Sequence, residues 1–123
     1  MRLLVDGMNV IGSRPDGWWN DRRRAMVALV DRLESWAAAG DDVTVVFERP
    51  PSPPIQSPSI VVAHAPRAAA NSADDEIVRL VRADALPQEI RVVTSDSVLT
   101  DLVRAAGASV YPAGSFRNLI DPP

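Results

Sequence analysis

Short, predominantly apolar segments alternate along the chain with longer segments whose apolar residues recur every three or four positions. The short segments are residues 3–5, 43–47, 59–63, 90–94 and 108–112. Runs of this length, rich in Val, Ile and Leu, are typical of strands that are buried on both faces of a sheet. The pattern therefore predicts five buried strands.

Helical spacing appears between these runs. A helix is predicted from Asn20, because the apolar residues that follow fall on one face. Gly40 is the predicted end of this helix. That face contains Met26, Leu29, Val30, Leu33, Trp36 and Ala37. A second helix is predicted from Ser72, where Ser72 and Asp75 have the spacing of a capping box. A third is predicted over residues 98–106, followed by Gly107, and residues 115–120 predict a final helical turn.

Strands that alternate with helices predict a parallel sheet with helices on both faces. We therefore expect a three-layer α/β/α fold, and one domain over residues 1–123, since no repeat or change of composition marks a boundary. Residues 7–19 are predicted to be a loop because they contain three glycines and a proline. Residues 49–58 contain five prolines, which exclude a helix or a central strand.

Acidic residues follow three of the predicted strands. Asp6 comes directly after the first strand, Glu48 directly after the second, and Asp96 shortly after the fourth. A single acid in this position is commonly a turn residue or a helix cap. The carboxyl ends of parallel strands share one edge, where ligands bind, so three such acids favour a common site.

Two further acids, Asp74 and Asp75, lie in the first turn of the helix predicted from Ser72. Asp74 is close to the apolar face of this helix and is expected in the site. Asp75 is the expected capping partner of Ser72 and a further candidate ligand. Oxygen ligands without any cysteine favour Mg²⁺ or Mn²⁺ over zinc. Ions held by carboxylates are suited to hydrolysis of phosphodiester bonds.

Basic residues cluster where the first long helix begins. Cations are electrostatically unfavourable at a helix N-terminus, so Arg22, Arg23 and Arg24 suggest either phosphate binding or pairing with nearby acids. Trp18 is either a packing residue or a stacking platform for a base. Arg49, Ser95 and Arg117 are further candidates for contact with nucleic acid.

Composition limits the classes of function. The chain has 123 residues, 13 basic residues that are all arginine, one histidine, no cysteine and a net charge of −3. The negative charge disfavours a protein that coats DNA, but it is compatible with an acidic metal site. No apolar run is long enough to span a membrane and no signal peptide is recognisable, so we expect a cytoplasmic protein without a membrane partner.

The segments VDGMNVIG, VVFE, SADDEIVRLV, VVTSDSVL and GASV, in this order, resemble the NYN (YacP-like) domains of the PIN-like nuclease superfamily. The resemblance implies a metal-dependent ribonuclease on a five-stranded parallel sheet of order 3-2-1-4-5. By position, Asp6, Asp74 and Asp96 match the metal-binding acids of the family. Asn9 matches an amide that is expected to hold the loop or a water molecule on the metal. Glu48 stands where YacP-like chains usually have Asp, and the proline-rich segment also departs from the family pattern.

Three functions are consistent with such a fold to different degrees. The first is an endoribonuclease that acts in RNA processing or decay, and the second is an RNA-binding module of the same fold that has little or no activity. A phosphatase or receiver domain is disfavoured, because D-x-D-x-T after the first strand and a late lysine are both absent. Whether the tryptophans at 18 and 19 form a homodimer interface is left open by the sequence.

Overall fold

The computed structural model describes residues 1–38, 41–66 and 71–122, and within them five strands and five α-helices form the fold. The strands are β1 (Arg2–Asp6), β2 (Asp42–Phe47), β3 (Val61–His64), β4 (Ile90–Val93) and β5 (Ser109–Tyr111). The helices are α1 (Gly7–Ile11), α2 (Arg22–Trp36), α3 (Ser72–Ala83), α4 (Ser97–Ala105) and α5 (Ala113–Ile120). Short 3-10 turns at residues 18–20 and 87–89 precede α2 and β4.

All strand pairs are parallel, and the sheet order is β3-β2-β1-β4-β5, as expected. The central strand is β1, in which Leu4 is aligned with Thr44 of β2 and with Val92 of β4. Strand order reverses between β1 and β4, and in open α/β sheets the ligand site lies at the carboxyl end of this point. Asp6 is the residue at that position in β1.

Helices cover both faces of the sheet. Leu3 and Val5 contact the core that α1, α2 and α5 build on one face, whereas Leu4 contacts the core of α3 and α4 on the other. Successive side chains of a strand alternate between faces, so Asp6 follows Leu4 onto the face of α3 and α4. This alternation directs the first candidate acid toward the helices that bear the others. Among the residues described, no helix combines the length and apolar character needed to cross a membrane.

The prediction that residues 7–19 form a loop was wrong at its start, because α1 begins immediately after β1. The glycines and the proline that suggested a loop lie mostly beyond this helix. Val10 and Ile11 are buried against the sheet and stabilise it. Gly7 starts α1 in close contact with Phe47: a Cβ at Gly7 would lie 2.5 Å from Phe47 Cε1.

The predicted capping box was also wrong, since Asn71 occupies the N-cap position of α3 and Ser72 is its first helical residue. The Ser72 hydroxyl instead donates a hydrogen bond to the backbone carbonyl of Glu48, at 3.3 Å. The third strand lies at 61–64 rather than 59–63, and the last helix begins at Ala113. The helix predicted to end at Gly40 ends earlier, at Trp36, because Ala37 already has extended backbone angles. Gly40 itself lies outside the described residues.

The proline-rich segment connects β2 to β3 without a helix or strand, as the sequence predicts. It is not detached from the fold. Ile55 packs against the core on the α2 face, and the Arg23 guanidinium donates a hydrogen bond to the Pro53 carbonyl at 2.6 Å. The segment is therefore held near the start of α2, at the same end of the molecule as the carboxyl ends of the strands.

A testable consequence concerns the close contact at the start of α1. In Gly7→Ala, the added methyl group would overlap the buried Phe47 ring, so we expect the free energy of unfolding to fall by about 1–3 kcal/mol. Gly114→Ala is the matched control, because a Cβ at this helical position meets nothing within 4 Å. The control should be neutral or stabilising by up to about 1 kcal/mol. Urea denaturation measures both, and equal effects of the two substitutions would contradict the packing argument.

Candidate active site

Asp6 is the most buried acidic side chain of the candidate site, with 5% of its surface exposed. Its Oδ2 accepts a hydrogen bond from the Thr94 hydroxyl at 2.9 Å. The same Thr94 oxygen accepts a hydrogen bond from the backbone N–H of Asp96 at 3.1 Å. One buried hydroxyl therefore connects the end of β1 to the turn that leads from β4 into α4.

Asp96 is the N-cap residue of α4. Its Oδ1 accepts a hydrogen bond from the backbone N–H of Leu99 at 2.8 Å, which satisfies one of the free N–H groups of the first helical turn. One oxygen of Asp96 therefore has the capping role that is common for an acid at the end of a strand. A carboxylate has a second oxygen, so capping does not prevent a role in the site.

Asn9 and Ser95 tie the neighbouring segments together. The backbone N–H of Ser95 donates to Asn9 Oδ1 at 2.8 Å, and the Ser95 hydroxyl accepts from the N–H of Ala113 at 2.9 Å. These bonds join α1, the β4–α4 turn and the start of α5. Of the two roles expected for Asn9, holding the loop is the one these contacts perform.

Asp74 and Glu48 approach from the other side of Asp6. Asp74 is half-buried in the first turn of α3, and Glu48 is half-buried directly after β2. The hydrogen bond from Ser72 to the Glu48 carbonyl holds the start of α3 against the end of β2. Asp75 is exposed on the same turn. Arg79, one turn further along α3, forms a bidentate ion pair with Glu76.

The electrostatics of this group are those of an acidic cluster in a poorly solvated place. Burial, and then the nearby charges of Asp74, Asp96 and Glu48, raise the pKa of Asp6 from 3.8 to about 7, although the Thr94 hydrogen bond opposes the shift. Burial, followed by the charges of Asp96, Asp75 and Glu48, raises the pKa of Asp74 to about 6. The four carboxylates are therefore close enough to repel one another.

The donor chemistry of the cluster fits a divalent cation, since all the available ligand atoms are oxygens and their charges are mutually repulsive. In residues 1–38, 41–66 and 71–122, however, no group of three or more Asp, Glu or His side chains is arranged to hold an ion as it stands. The acids share an edge of the sheet without converging on one point. His64, the single histidine, is exposed, and its Nδ1 lies 2.8 Å from the Ala65 carbonyl oxygen.

The predicted basic cluster lies at the start of α2. Arg22 and Trp18 form a cation–π pair, with the guanidinium carbon 5.4 Å from the ring centroid. Arg23 is hydrogen-bonded to the proline-rich segment. Trp18 is half-buried against the core, which is its packing role, while Trp19 is 52% exposed. Arg24 and Arg49 are exposed.

Arg117 occupies a structural network. Its guanidinium donates to Asp16 and Asp121 and to the carbonyls of Val10 and Ile11. These bonds fasten α5 to α1 and to the loop that follows it. A cavity of about 500 Å³ adjoins this network, but it contains none of the clustered acids. We therefore assign the candidate active site to the acidic edge rather than to the larger cavity.

The sequence analysis does not predict that Thr94 lies at the centre of the site. The feature that could have indicated it is the position of Thr94 two residues before Asp96, from which a hydroxyl reaches both the capping turn and the adjacent strand. Its partner Asp6 is 88 positions away in the chain, and only the pairing of β1 with β4 brings the two together.

Comparison with known proteins agrees with the observed fold. A family model described as the YacP-like NYN domain matches residues 3–122. Two crystal structures of Rae1 (YacP) from Bacillus subtilis are similar at 26% sequence identity over 98% of this chain. One, of a W164L mutant, has a TM-score of 0.74 with 75% of its chain covered, and the other has a TM-score of 0.79 with 73% covered.

No curated protein matches the sequence. The family match spans nearly the whole chain, and the sheet order is the one that the resemblance implies. The chain belongs to the YacP-like NYN domain family.

Proposed function

We propose that this protein is a metal-dependent endoribonuclease that hydrolyses phosphodiester bonds of RNA in the cytoplasm with Mg²⁺ or Mn²⁺. The observation that carries the proposal is the position of Asp6, Asp74 and Asp96 at the switch point of a nuclease-family fold. Buried carboxylates that repel one another destabilise a protein unless a cation or a proton neutralises them. A function that uses a cation explains why they lie together.

In this proposal Asp6, Asp74 and Asp96 hold the ion, and Glu48 is the candidate fourth ligand. A divalent ion held there would supply activation of water and neutralisation of charge on the phosphate. Thr94 fixes the Asp6 carboxylate, while Asn9 and Ser95 hold the turn before α4 in place. These residues act by positioning.

The basic residues near the start of α2 would bind the RNA backbone. Arg22 and Arg49 are exposed close to the acidic edge, and guanidinium groups suit phosphate oxygens geometrically. Arg24 is a further candidate. Arg117 is assigned to structure, because its hydrogen-bond donors are engaged by Asp16, Asp121 and two carbonyls.

A second candidate function is RNA binding without turnover. It is favoured by one observation, namely that within the described ranges the acids do not converge to hold an ion as they stand. An active enzyme requires that the side chains of Asp74 and Glu48 reorient toward Asp6 when the ion binds.

The first test is cleavage of labelled single-stranded and structured RNA with Mn²⁺. We expect cleavage that EDTA abolishes and that Asp74→Asn and Asp96→Asn each reduce by about a hundredfold or more, since each removes a charge from the metal site. Asparagine is as good an N-cap as aspartate, so Asp96→Asn should retain α4.

The matched control is Asp101→Asn, which removes an exposed acid from the same helix as the Asp96 cap. It should leave the rate within about twofold of the wild type. Cleavage that neither EDTA nor the two substitutions change would contradict the metal mechanism. RNA binding without any cleavage would favour the second candidate.

A second prediction concerns stability without metal. Because the folded protein retains a proton on Asp6 up to about pH 7 and an ordinary aspartate releases it near 3.8, raising the pH through this window lowers the free energy of unfolding. Asp6→Asn keeps an acceptor for Thr94 and removes the charge. We expect it to stabilise the EDTA-treated protein at pH 8 by about 2–4 kcal/mol.

This gain should decline steadily toward pH 4, because the carboxyl is protonated in the folded protein there and the unfolded chain also takes up the proton as the pH approaches 3.8. Urea denaturation at pH 4, 6 and 8 measures it. With Mn²⁺ at pH 8 the order should reverse, since the ion stabilises only the wild type. A lower free energy of unfolding for Asp6→Asn than for the wild type, at pH 8 in EDTA, would show that the charge of Asp6 does not destabilise the fold.

A third prediction separates positioning from folding at Thr94. Thr94→Val removes the hydrogen bond that lowers the pKa of Asp6. We expect cleavage at limiting Mn²⁺ to fall at least about tenfold and its half-maximal pH to move upward. Thr94→Ser restores the hydroxyl and should recover the wild-type pH profile. A Thr94→Val enzyme that is slower at all pH values, with an unchanged midpoint, would argue against this role.

A further inference from the structure

A second cavity, of about 240 Å³, lies beside the acidic edge on the face of the sheet that α2 covers. We call it the Met8–Met26 cavity. It is lined by Met8, Arg22, Met26, Phe47, Glu48 and Arg49. Three elements meet there: the first turns of α1 and α2, and the carboxyl end of β2.

The inner wall of the Met8–Met26 cavity is apolar. Met8 and Met26 are half-buried against the core and supply the accessible surface of this wall, whereas Phe47 is 1% exposed and contributes almost none of it. Thioether side chains are polarisable, adapt their shape and make favourable contacts with aromatic rings. This wall is therefore suited to a flat, aromatic group rather than to an isolated ion.

The rim of the cavity is positively charged. Arg22 and Arg49 are exposed, and within residues 1–38, 41–66 and 71–122 neither forms an ion pair. Arg22 is held over the Trp18 ring. These two guanidinium groups are thus available to an anionic ligand at the mouth of an apolar cavity.

The cavity also adjoins the candidate active site. Glu48 lines it and belongs to the acidic cluster, because its charge acts on both Asp6 and Asp74. A ligand in the cavity would lie directly beside the phosphate that the acids address. Glu48 is thus the residue that the cavity and the acidic cluster share.

We propose that the Met8–Met26 cavity binds one unstacked base of single-stranded RNA, next to the bond that is cut, while Arg22 and Arg49 bind the adjoining phosphates. The inference rests on the proposed function and adds a substrate class to it. The volume is below the roughly 300–1,000 Å³ of cavities that enclose whole small molecules. A cavity of this volume is suited to one base.

Strand selectivity follows from this geometry. A base within a duplex is stacked and paired, and entry into a cavity requires that both interactions be broken. An unpaired strand presents its bases freely, and sequence-tolerant stacking then contributes to binding. Free inorganic phosphate would use the arginines but not the apolar wall.

The test measures binding in EDTA, where no metal-dependent cleavage occurs. The probes are a fluorescein-labelled RNA hexamer, a hexamer that is abasic at every position, and the abasic hexamer with one central base restored. We expect the restored base to increase affinity about tenfold over the abasic strand, and a duplex of the intact sequence to bind no better than the abasic strand. Equal affinity of the abasic and restored strands would overturn the proposal.

Variants assign the gain to the cavity. Met26→Phe fills it and should abolish the effect of the restored base, and Met8→Phe is the second filling variant if the first does not fold. Arg49→Ala should lower the affinity for every RNA probe and reduce the salt dependence of binding. Arg104 is an exposed arginine on α4, so Arg104→Ala should change neither quantity. A filled cavity that retains the base effect would place the base elsewhere and overturn the proposal.

The outcome is independent of catalysis. Base-dependent binding that Met26→Phe removes, in a protein that does not cleave RNA with Mn²⁺, would support the cavity assignment and contradict the proposed enzyme. Mn²⁺-dependent cleavage by a protein that binds the abasic and restored strands equally would support the proposed enzyme and contradict the cavity assignment.

Discussion

The hydrogen bond from Thr94 to Asp6 is the interaction on which the candidate site depends. It places a buried carboxylate at the end of the central strand and connects it to the turn that α4 and Asp96 share. Because β1 and β4 pair in register along their length, the two residues meet without any contribution from a flexible loop. The most buried acid of the site is thus fixed by the sheet itself.

The other acids are held less directly. Asp96 is fixed by its role as a cap, whereas Asp74 and Glu48 are half-buried at the ends of α3 and β2. The cluster therefore combines rigid members with members that can reorient. The same ends of secondary structure form the wall of the Met8–Met26 cavity on the opposite face, so the acidic cluster and the cavity share Glu48 and little else.

Much of the fold was predictable from the sequence because buried parallel strands are continuous apolar runs. The strand cores follow from this pattern, and the helices α2, α3 and α4 follow from apolar residues that recur every three or four positions. The strand order follows from the family resemblance. The sequence pattern does not predict α1, because glycine typically breaks helices, although Gly7 is required there by the Phe47 ring. Asp6 and Asp96 were recognisable as strand-end acids. Thr94 and the cavity were not, since Met8, Met26 and Phe47 have the sequence pattern of ordinary core residues.

The direct junction of β1 with α1 has a consequence for the entropy of ligand binding. No linker residue separates β1, which ends at Asp6, from α1, which begins at Gly7. The space that a Cβ at Gly7 would need is filled by the Phe47 ring. The backbone at Asp6 therefore has almost no freedom left to lose when a ligand arrives, since that ordering has already occurred on folding. The entropic cost of assembling the site therefore falls on the rotamers of the half-buried Asp74 and Glu48 side chains, and not on the backbone that carries Asp6.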